Sequence, residues 1–372
     1  MLHGHGHGLP FVRSPGGVWL PEYLPGLLTL LRTDRDDLVQ YATQPNVNNP
    51  GFDTDTAWTE GAGWSISGGY AQNASGSGTS ITQNFLTTGC RYQIDTNIAS
   101  LSGGTLDVMG GTNVWGTASG AGTITTEGTA QSTTFGLRAN TGANVSVDSV
   151  SNYKNLSITS LTPCAGTYTS PFTQANASVM PWRKNGVIQC ENDVLRAATN
   201  PSAFTPLHRN ADYYWFMVVM MGSLPIQYGL WSTLPVSPTI GASVLVLAGG
   251  SILIRVSSAA GAAYNNPMTP SGTFPTGQYN LVVGRHVSGA SPTYRVYCNS
   301  STPAGTFNGN AALFDTDTDA QGLDAFAYIY DSTSYALVGQ VRLFGIGLGQ
   351  ISDADLNKLG QYCLATFGTG WS

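Results

Sequence analysis

The sequence predicts an all-β protein: two tandem antiparallel β-sandwiches, an extended N-terminal arm before them and one short C-terminal helix. Three observations predict it. Charged residues are only 10% of the 372-residue chain, against about 25% in an ordinary globular protein. Gly (46), Pro (19) and many Ser, Thr and Asn take their place, as short strands joined by tight turns require. The segment Arg91–Ile98 alternates apolar and polar residues, the period of a half-buried strand. Strand-length apolar runs such as Asp212–Met221 recur between turn residues, and the length suits two domains with a core each.

Residues 1–47 read as the arm. A Gly-rich tip carrying His3, His5 and His7 leads to Trp19, Leu20, Tyr23, Leu24, Leu27 and Leu28, punctuated by Pro21 and Pro25. This apolar cluster cannot form its own core, so it is expected to be buried on the chain's own domains or on a neighbouring subunit. A short helix is expected after it, with Thr33 as N-cap, Asp36 at the third position and Leu38, Val39, Tyr41 and Ala42 on its apolar side.

Residues 48–163 read as the first sandwich. Tyr92, Ile94 and Ile98 are expected inward and Arg91, Gln93, Asp95 and Asn97 outward. Gly103-Gly104 is expected to turn a hairpin into Thr105–Val108. Further strands are expected over Thr123–Thr125, Thr134–Ala139, Val145–Ser149 and Asn155–Ser160. Residues 170–372 read as the second sandwich, with Asp212–Met221 buried on both faces and Ser251–Val256, Tyr279–Val283 and Thr293–Cys298 following. The final helix has Ser352 as N-cap, Asp355 three residues on, a stripe of Leu356, Leu359, Cys363 and Phe367, and Gly368 as its left-handed stop.

Two stretches carry a resemblance. Asn48-Asn49-Pro50-Gly51-Phe52-Asp53, Trp58 and Gly63-Trp64-Ser65-Ile66-Ser67-Gly68-Gly69-Tyr70-Ala71 resemble the opening of a jelly roll of the carbohydrate-binding-module type. In that family the middle strands correspond to Gly89–Gly110, and Val147–Val150 with Leu156–Ile158 close the sandwich. Gly339–Gly345, then Ile351–Leu356 through Phe367-Gly368, resemble the closing strand and terminal helix of laminin-G/concanavalin-like lectin domains. The Tyr279–His286 and Thr293–Asn299 couplet resembles the paired central strands of those domains. The opening Met1–Phe11 resembles the N-termini of phage virion structural proteins.

Candidate chemistry is sparse. The five cysteines, Cys90, Cys164, Cys190, Cys298 and Cys363, show neither disulfide nor metal spacing, and Cys298 and Cys363 read as core thiols. Asp315, Asp317 and Asp319 have the spacing that opens a calcium loop but lack the Gly and Glu of an EF-hand, which leaves a polar loop or a surface calcium site. Asp53 and Asp148 are where the first resemblance implies a structural calcium; no cofactor is required. Flat rings stack on sugar faces, and of Trp58, Trp64, Trp115, Tyr153, Trp182 and Trp231 the best placed is Trp115, in a Gly/Thr/Asn-rich stretch beside Asn113. A glycosidase needs two carboxylates about 5–10 Å apart, yet the glutamates Glu22, Glu60, Glu127 and Glu191 are isolated and no catalytic motif is present. No catalytic residue is assigned.

The net charge of −6 is scattered and offers nucleic acid no basic face. No stretch reaches the length of a membrane span, and no export segment is visible. The expectation is a non-enzymatic virion protein made in the host cytoplasm. Residues 1–47 would anchor it to capsid, portal, collar or tail proteins, with homo-oligomers allowed for, and its two sandwiches would be displayed toward host polysaccharide. The alternatives are a cellular extracellular lectin and a glycan-cleaving enzyme.

Overall fold

The computed structural model describes residues 19–74, 76–197, 201–233, 241–257, 267–309, 322–326 and 336–372. The chain is all-β, with two sandwiches and one C-terminal helix. In the first sandwich, sheet 1 runs in the order Gly122–Thr129, Arg91–Ser102, Asn144–Asn155, Tyr70–Asn73, Trp64–Ser67. Sheet 2 packs on it in the order Thr59–Glu60, Ser80–Asn84, Thr134–Ala139, Leu106–Gly110, Asn113–Ala118. Tyr92, Ile94, Ile98, Val108, Phe135 and Val147 fill the space between them. Arg91–Ile98 alternates as expected, with Tyr92, Ile94, Thr96 and Ile98 buried and the residues between them part-exposed.

The second sandwich is larger. Sheet 3 runs Trp182–Lys184, Val187–Asp193, Leu337–Leu348, Tyr213–Met220, Asn280–Val287, Thr293–Cys298, Gly305–Asn308, and Leu27–Arg32 also pairs with Leu337–Leu348. Sheet 4 runs Val39–Tyr41, Ile158–Leu161, Phe172–Thr173, Leu195–Ala197, Leu323–Ala325, Tyr228–Ser232, Gly241–Val246, Ile252–Ser257. Trp215, Met217 and Val219 face the core between these sheets. Tyr214, Phe216 and Val218 face the opposite way, into a layer closed by Leu356, Leu359, Cys363 and Trp371. The helix Asp353–Phe367 has the expected caps: the Ser352 hydroxyl accepts from the Asp355 N–H, and Gly368 has φ 69°. It covers the outer face of sheet 3.

The pairing shows one sandwich inserted into the other, so the expected division at residues 47 and 170 needs correction. Leu27–Arg32 pairs with Leu343–Gly347, and Val39–Tyr41 pairs with Ile158–Leu161. Leu27–Arg32 and Val39–Tyr41 are therefore strands of the second sandwich. The chain leaves it after Tyr41, builds the first sandwich, and returns at Ile158 beside its point of departure. The two crossings touch, since the Ala42 N–H donates to Ser157 O at 2.8 Å; adjacent entry and exit points are what make domain insertion tolerable.

The apolar cluster of the expected arm is for the most part covered by the chain itself. Leu24 and Leu27 lie in the layer under the helix, Leu28 lies in the core between sheets 3 and 4, and Trp19 meets Tyr362 edge-on at 6.4 Å between centroids. Leu20 is part-buried, and only Tyr23, 51% exposed, is a large exposed apolar side chain of the set.

Three local expectations also change. Residues 33–42 form no α-helix; a 3-10 turn at Asp36–Leu38 leads straight into Val39–Tyr41. The Thr33 hydroxyl, expected as a cap, sits 2.7 Å from Gly186 O and 3.0 Å from Arg342 O. Gly103-Gly104 turns no hairpin, because the strands on either side belong to different sheets. The crossing runs hard against Gly142-Ala143: a Cβ at Gly103 would stand 2.4 Å from Gly142 O, and one at Gly104 2.8 Å from Ala143 N. Ile158, expected to close the first sandwich, opens a strand of the second.

Candidate functional site

The insertion creates a cleft where the sandwiches meet, with a volume of about 480 Å³. Asp36, Tyr41, Arg183, Lys184, Asn185 and Gly186 line it from the second sandwich, Gln93, Lys154, Asn155 and Leu156 from the first, and Gln44 from the connection.

Local sequence explains the second-sandwich wall. Trp182–Lys184 and Val187–Asp193 form a two-residue hairpin through Asn185 (φ 53°) and Gly186 (φ 73°), the left-handed pair that a tight turn with strand-compatible twist requires. Arg183 anchors the hairpin. It is 5% exposed, and its Nε donates to Thr33 O at 2.6 Å while Nη1 donates to the Tyr41 hydroxyl at 2.9 Å and to Asp36 Oδ1. Burial disfavours the Arg183 charge, but the hydrogen bonds to Tyr41 and Asp36 outweigh it and hold the guanidinium above its ordinary range.

The first-sandwich wall is equally fixed. Asn155 is 2% exposed; its Nδ2 donates to Thr43 O at 3.2 Å and its N–H donates to Gln44 Oε1 at 2.9 Å. Lys184 Nζ bridges to Glu127 Oε1 across the junction, and Arg91 lies over the Trp182 ring, 4.7 Å from its centroid. These contacts hold the two sandwiches in one arrangement.

Other groups are left for a ligand. Among the described residues, the side chains of Gln93, Lys154 and Asn185 have no hydrogen-bond or ion-pair partner, and the Tyr41 hydroxyl accepts from Arg183 with its own proton undirected. The cleft opens onto the outer face of sheet 1. There Lys154, Gln93 and Glu127 stand side by side across three strands, and Ser151, Asp95 and Thr125 form the next row. Ser149, Asn97 and Thr123 form the third. Thr125 donates to Asp95 at 2.6 Å, Thr123 to Asn97 at 2.5 Å, and Asn97 to Ser149 at 2.7 Å. The face is a ladder of hydroxyls, amides and carboxylates with no apolar side chain in these rows.

The residues singled out in the sequence lie elsewhere. Trp115 is not an exposed stacking platform. It is half-buried against the first core, stacks on Tyr92 at 6.2 Å, and lies over Gly110 and Gly128, where a Cβ would come within 2.0 Å of the indole. Asn113 is exposed at the start of an edge strand, on the other sheet from the cleft floor. Trp58 and Trp64 are buried and donate to Asn49 O and Thr79 O at 3.0 Å each; Trp231 is buried in the second core, and Tyr153 is part-buried against the first.

Asp53 and Asp148 are both exposed, and among the described residues no three His, Cys, Asp or Glu side chains gather as metal ligands. Asp315, Asp317 and Asp319 lie outside the described residues, as do His3, His5 and His7. All five cysteines are free; burial pushes the Cys298 thiol up to about 12. No described helix is long and apolar enough to cross a membrane. The hairpin that builds the cleft did carry a sequence signal, Asn185-Gly186 between Trp-Arg-Lys and Val-Ile-Gln-Cys, the strongest short-range hairpin pattern.

No protein-family model matches the sequence, and no curated protein matches it at a significant level. Among solved structures, the chain is similar to the Ruminococcus gnavus IT-sialidase CBM40 bound to alpha2,3 sialyllactose, at 13% identity over 45% of this chain and 92% of that one, TM-score 0.38. It is similar to the K499G mutant of NanB sialidase from Streptococcus pneumoniae, at 13% identity over 46% of this chain and 26% of that one, TM-score 0.37. It is also similar to the botulinum neurotoxin serotype D binding domain, at 11% identity over 52% of this chain and 49% of that one, TM-score 0.34. These are partial likenesses of shape, and the chain spans about a quarter of the sialidase and half of the toxin domain.

Proposed function

We propose that the chain is a non-catalytic carbohydrate-binding protein whose ligand occupies the cleft between the two sandwiches. The observation that carries this reading is the set of uncommitted polar groups on Gln93, Lys154, Asn185 and Tyr41, on walls whose own buried polar groups, Arg183 and Asn155, are hydrogen-bonded. A sugar ring presents hydroxyls that donate and accept at once, and a side-chain amide is the group that answers both. Prior fixing of the walls by Arg183, Asn155 and Gln44 lowers the ordering cost on binding, and the volume falls in the range of small-ligand clefts. Asp36 and Glu127, the carboxylates at the cleft, are each held by a cation, which suits support of the walls better than acid–base work.

A glycan array probed with the full chain and with Gln93→Leu/Asn185→Ala tests the proposal. At least about a tenfold loss of binding to the best glycan is expected, the sum of two lost net hydrogen bonds; full binding by the double variant overturns it. The setting we propose is display on a virion, on the sequence resemblance alone. Residues 24–28, whose leucines are buried in this chain, would then not be the anchor. Absence of the protein from purified particles overturns that setting.

A further inference from the structure

We propose a second saccharide site on the opposite outer face of the first sandwich, one that takes a neutral sugar. It is a pocket of about 460 Å³ lined by Asn48, Ala57, Thr59, Thr82, Gln83, Asn84 and Thr134. Its polar groups come from adjacent strands of sheet 2: Thr59 stands opposite Thr82, and Asn84 opposite Thr134. These register pairs put the three threonine hydroxyls and the Asn84 amide on one face.

The pocket has a built wall. Gln83 is 6% exposed, and its Nε2 donates to Asn48 O at 2.8 Å and to Ala57 O at 3.1 Å while its Oε1 accepts from the Asn48 N–H at 2.9 Å. One buried amide thus clasps both ends of the segment 48–57 against the sheet. That segment holds Phe52 and Ala57 at φ 54° and 70°, a left-handed conformation uncommon for residues other than glycine and asparagine. Of the two, Ala57 lines the pocket, and strained backbone clusters at functional sites.

The chemistry of the ligand follows from the groups left over. Thr134 Oγ1 donates to Asn84 Oδ1 at 2.8 Å, which fixes the amide and leaves its NH2 free. The Thr59 and Thr82 hydroxyls have no partner among the described residues. Three uncommitted donor or donor–acceptor groups face the pocket and no charged side chain lines it. This fits the adjacent hydroxyls of a neutral hexopyranose and offers no opposite charge to a carboxylate or an ammonium. With the cleft on sheet 1 and this pocket on sheet 2, one chain could engage two glycan strands, and binding to a dense glycan surface would gain by multivalency. The pocket stands independently of the cleft reading.

Saturation-transfer NMR on the full chain with methyl glucoside, methyl galactoside and methyl mannoside at millimolar concentration tests it. Transfer to at least one of the three is expected. Measured in the Gln93→Leu/Asn185→Ala background, which removes the contribution of the cleft, it should fall about fivefold in Thr82→Val, a change of one hydroxyl for a methyl, and further in Asn84→Leu. An unchanged melting temperature for Thr82→Val shows that the loss is not one of folding. Absence of transfer from all three glycosides in that background overturns the proposal, as does transfer there that survives in both pocket variants.

Discussion

The strands Arg91–Ser102 and Tyr213–Met220 are both interior strands of their sheets, yet one alternates between buried and part-exposed residues and the other is buried almost throughout. The difference lies in what covers the second face. In sheet 1 the outer face is left to water and carries the ladder of Gln93, Asp95 and Asn97. In sheet 3 the outer face is covered by the C-terminal helix and by Leu24, Leu27 and Leu30. A sheet with both faces in cores has no face to offer a ligand. The first sandwich, with two wet faces, carries Gln93, Lys154, Thr59 and Thr82 on them, and the second supplies the hairpin that turns one of those faces into a cleft.

That contrast can be broken by mutation. Trp215 is fully buried between sheets 3 and 4, so Trp215→Ala should lower stability by about 3–5 kcal/mol. Asn97→Ala, on the wet ladder, should cost about 1 kcal/mol or less. The midpoints of urea unfolding measure both; equal costs would erase the distinction between the two faces.

A second test uses pH. Asp193, 5% exposed, is pushed up to about 7 by burial and further by the neighbouring Glu191 charge, against which the hydrogen bond from the Glu191 N–H works. Between about pH 4, the unfolded value, and pH 7 the folded state therefore holds a proton that the unfolded state has lost. Stability from this group is complete below pH 4 and is lost as pH rises through 7, on the order of 2–4 kcal/mol in all. Urea unfolding across pH 4–8 should show this fall, and Asp193→Asn should flatten it. An equal slope in the variant contradicts the assignment.

The fold was legible where the signal is local. Alternation placed Arg91–Ile98, the Ser352/Asp355 pair and Gly368 bounded the helix, and Asn280–Val287 pairs with Thr293–Cys298 as the resemblance of that couplet implied. The nesting was not legible, because nothing near Leu27–Arg32 says that its partner is Leu343–Gly347 at the far end of the chain. A run of leucines between prolines looks the same as an unattached apolar arm. Half of the cleft was legible: Gln93 was expected outward from period two, and Asn185-Gly186 announces a hairpin. Its position against the first sandwich depends on the nesting and was not.

Trp115 failed for a related reason. Its neighbours in sequence are small and polar, while Gly128, which makes room for its ring, lies on another strand in the other sheet. Trp115→Ala should consequently lower stability by about 2–3 kcal/mol, somewhat less than a fully buried tryptophan, with the loss read as a fall in melting temperature. An unchanged melting temperature would return Trp115 to the surface.

The smallest effect belongs to the junction. Lys184→Met removes the bridge to Glu127 between two partly exposed groups, which should cost less than about 1 kcal/mol. A larger loss in a denaturation titration would mean that the two sandwiches depend on this contact rather than on their separate cores.

Hydrogen–deuterium exchange on the full chain, with and without the best-binding glycan, tests the cleft most directly. Protection is expected in Trp182–Val187, in Arg91–Asp95 and at the end of Asn144–Asn155, where the walls meet. Protection confined to residues 111–115, or to the second sandwich away from its hairpin, would contradict the account.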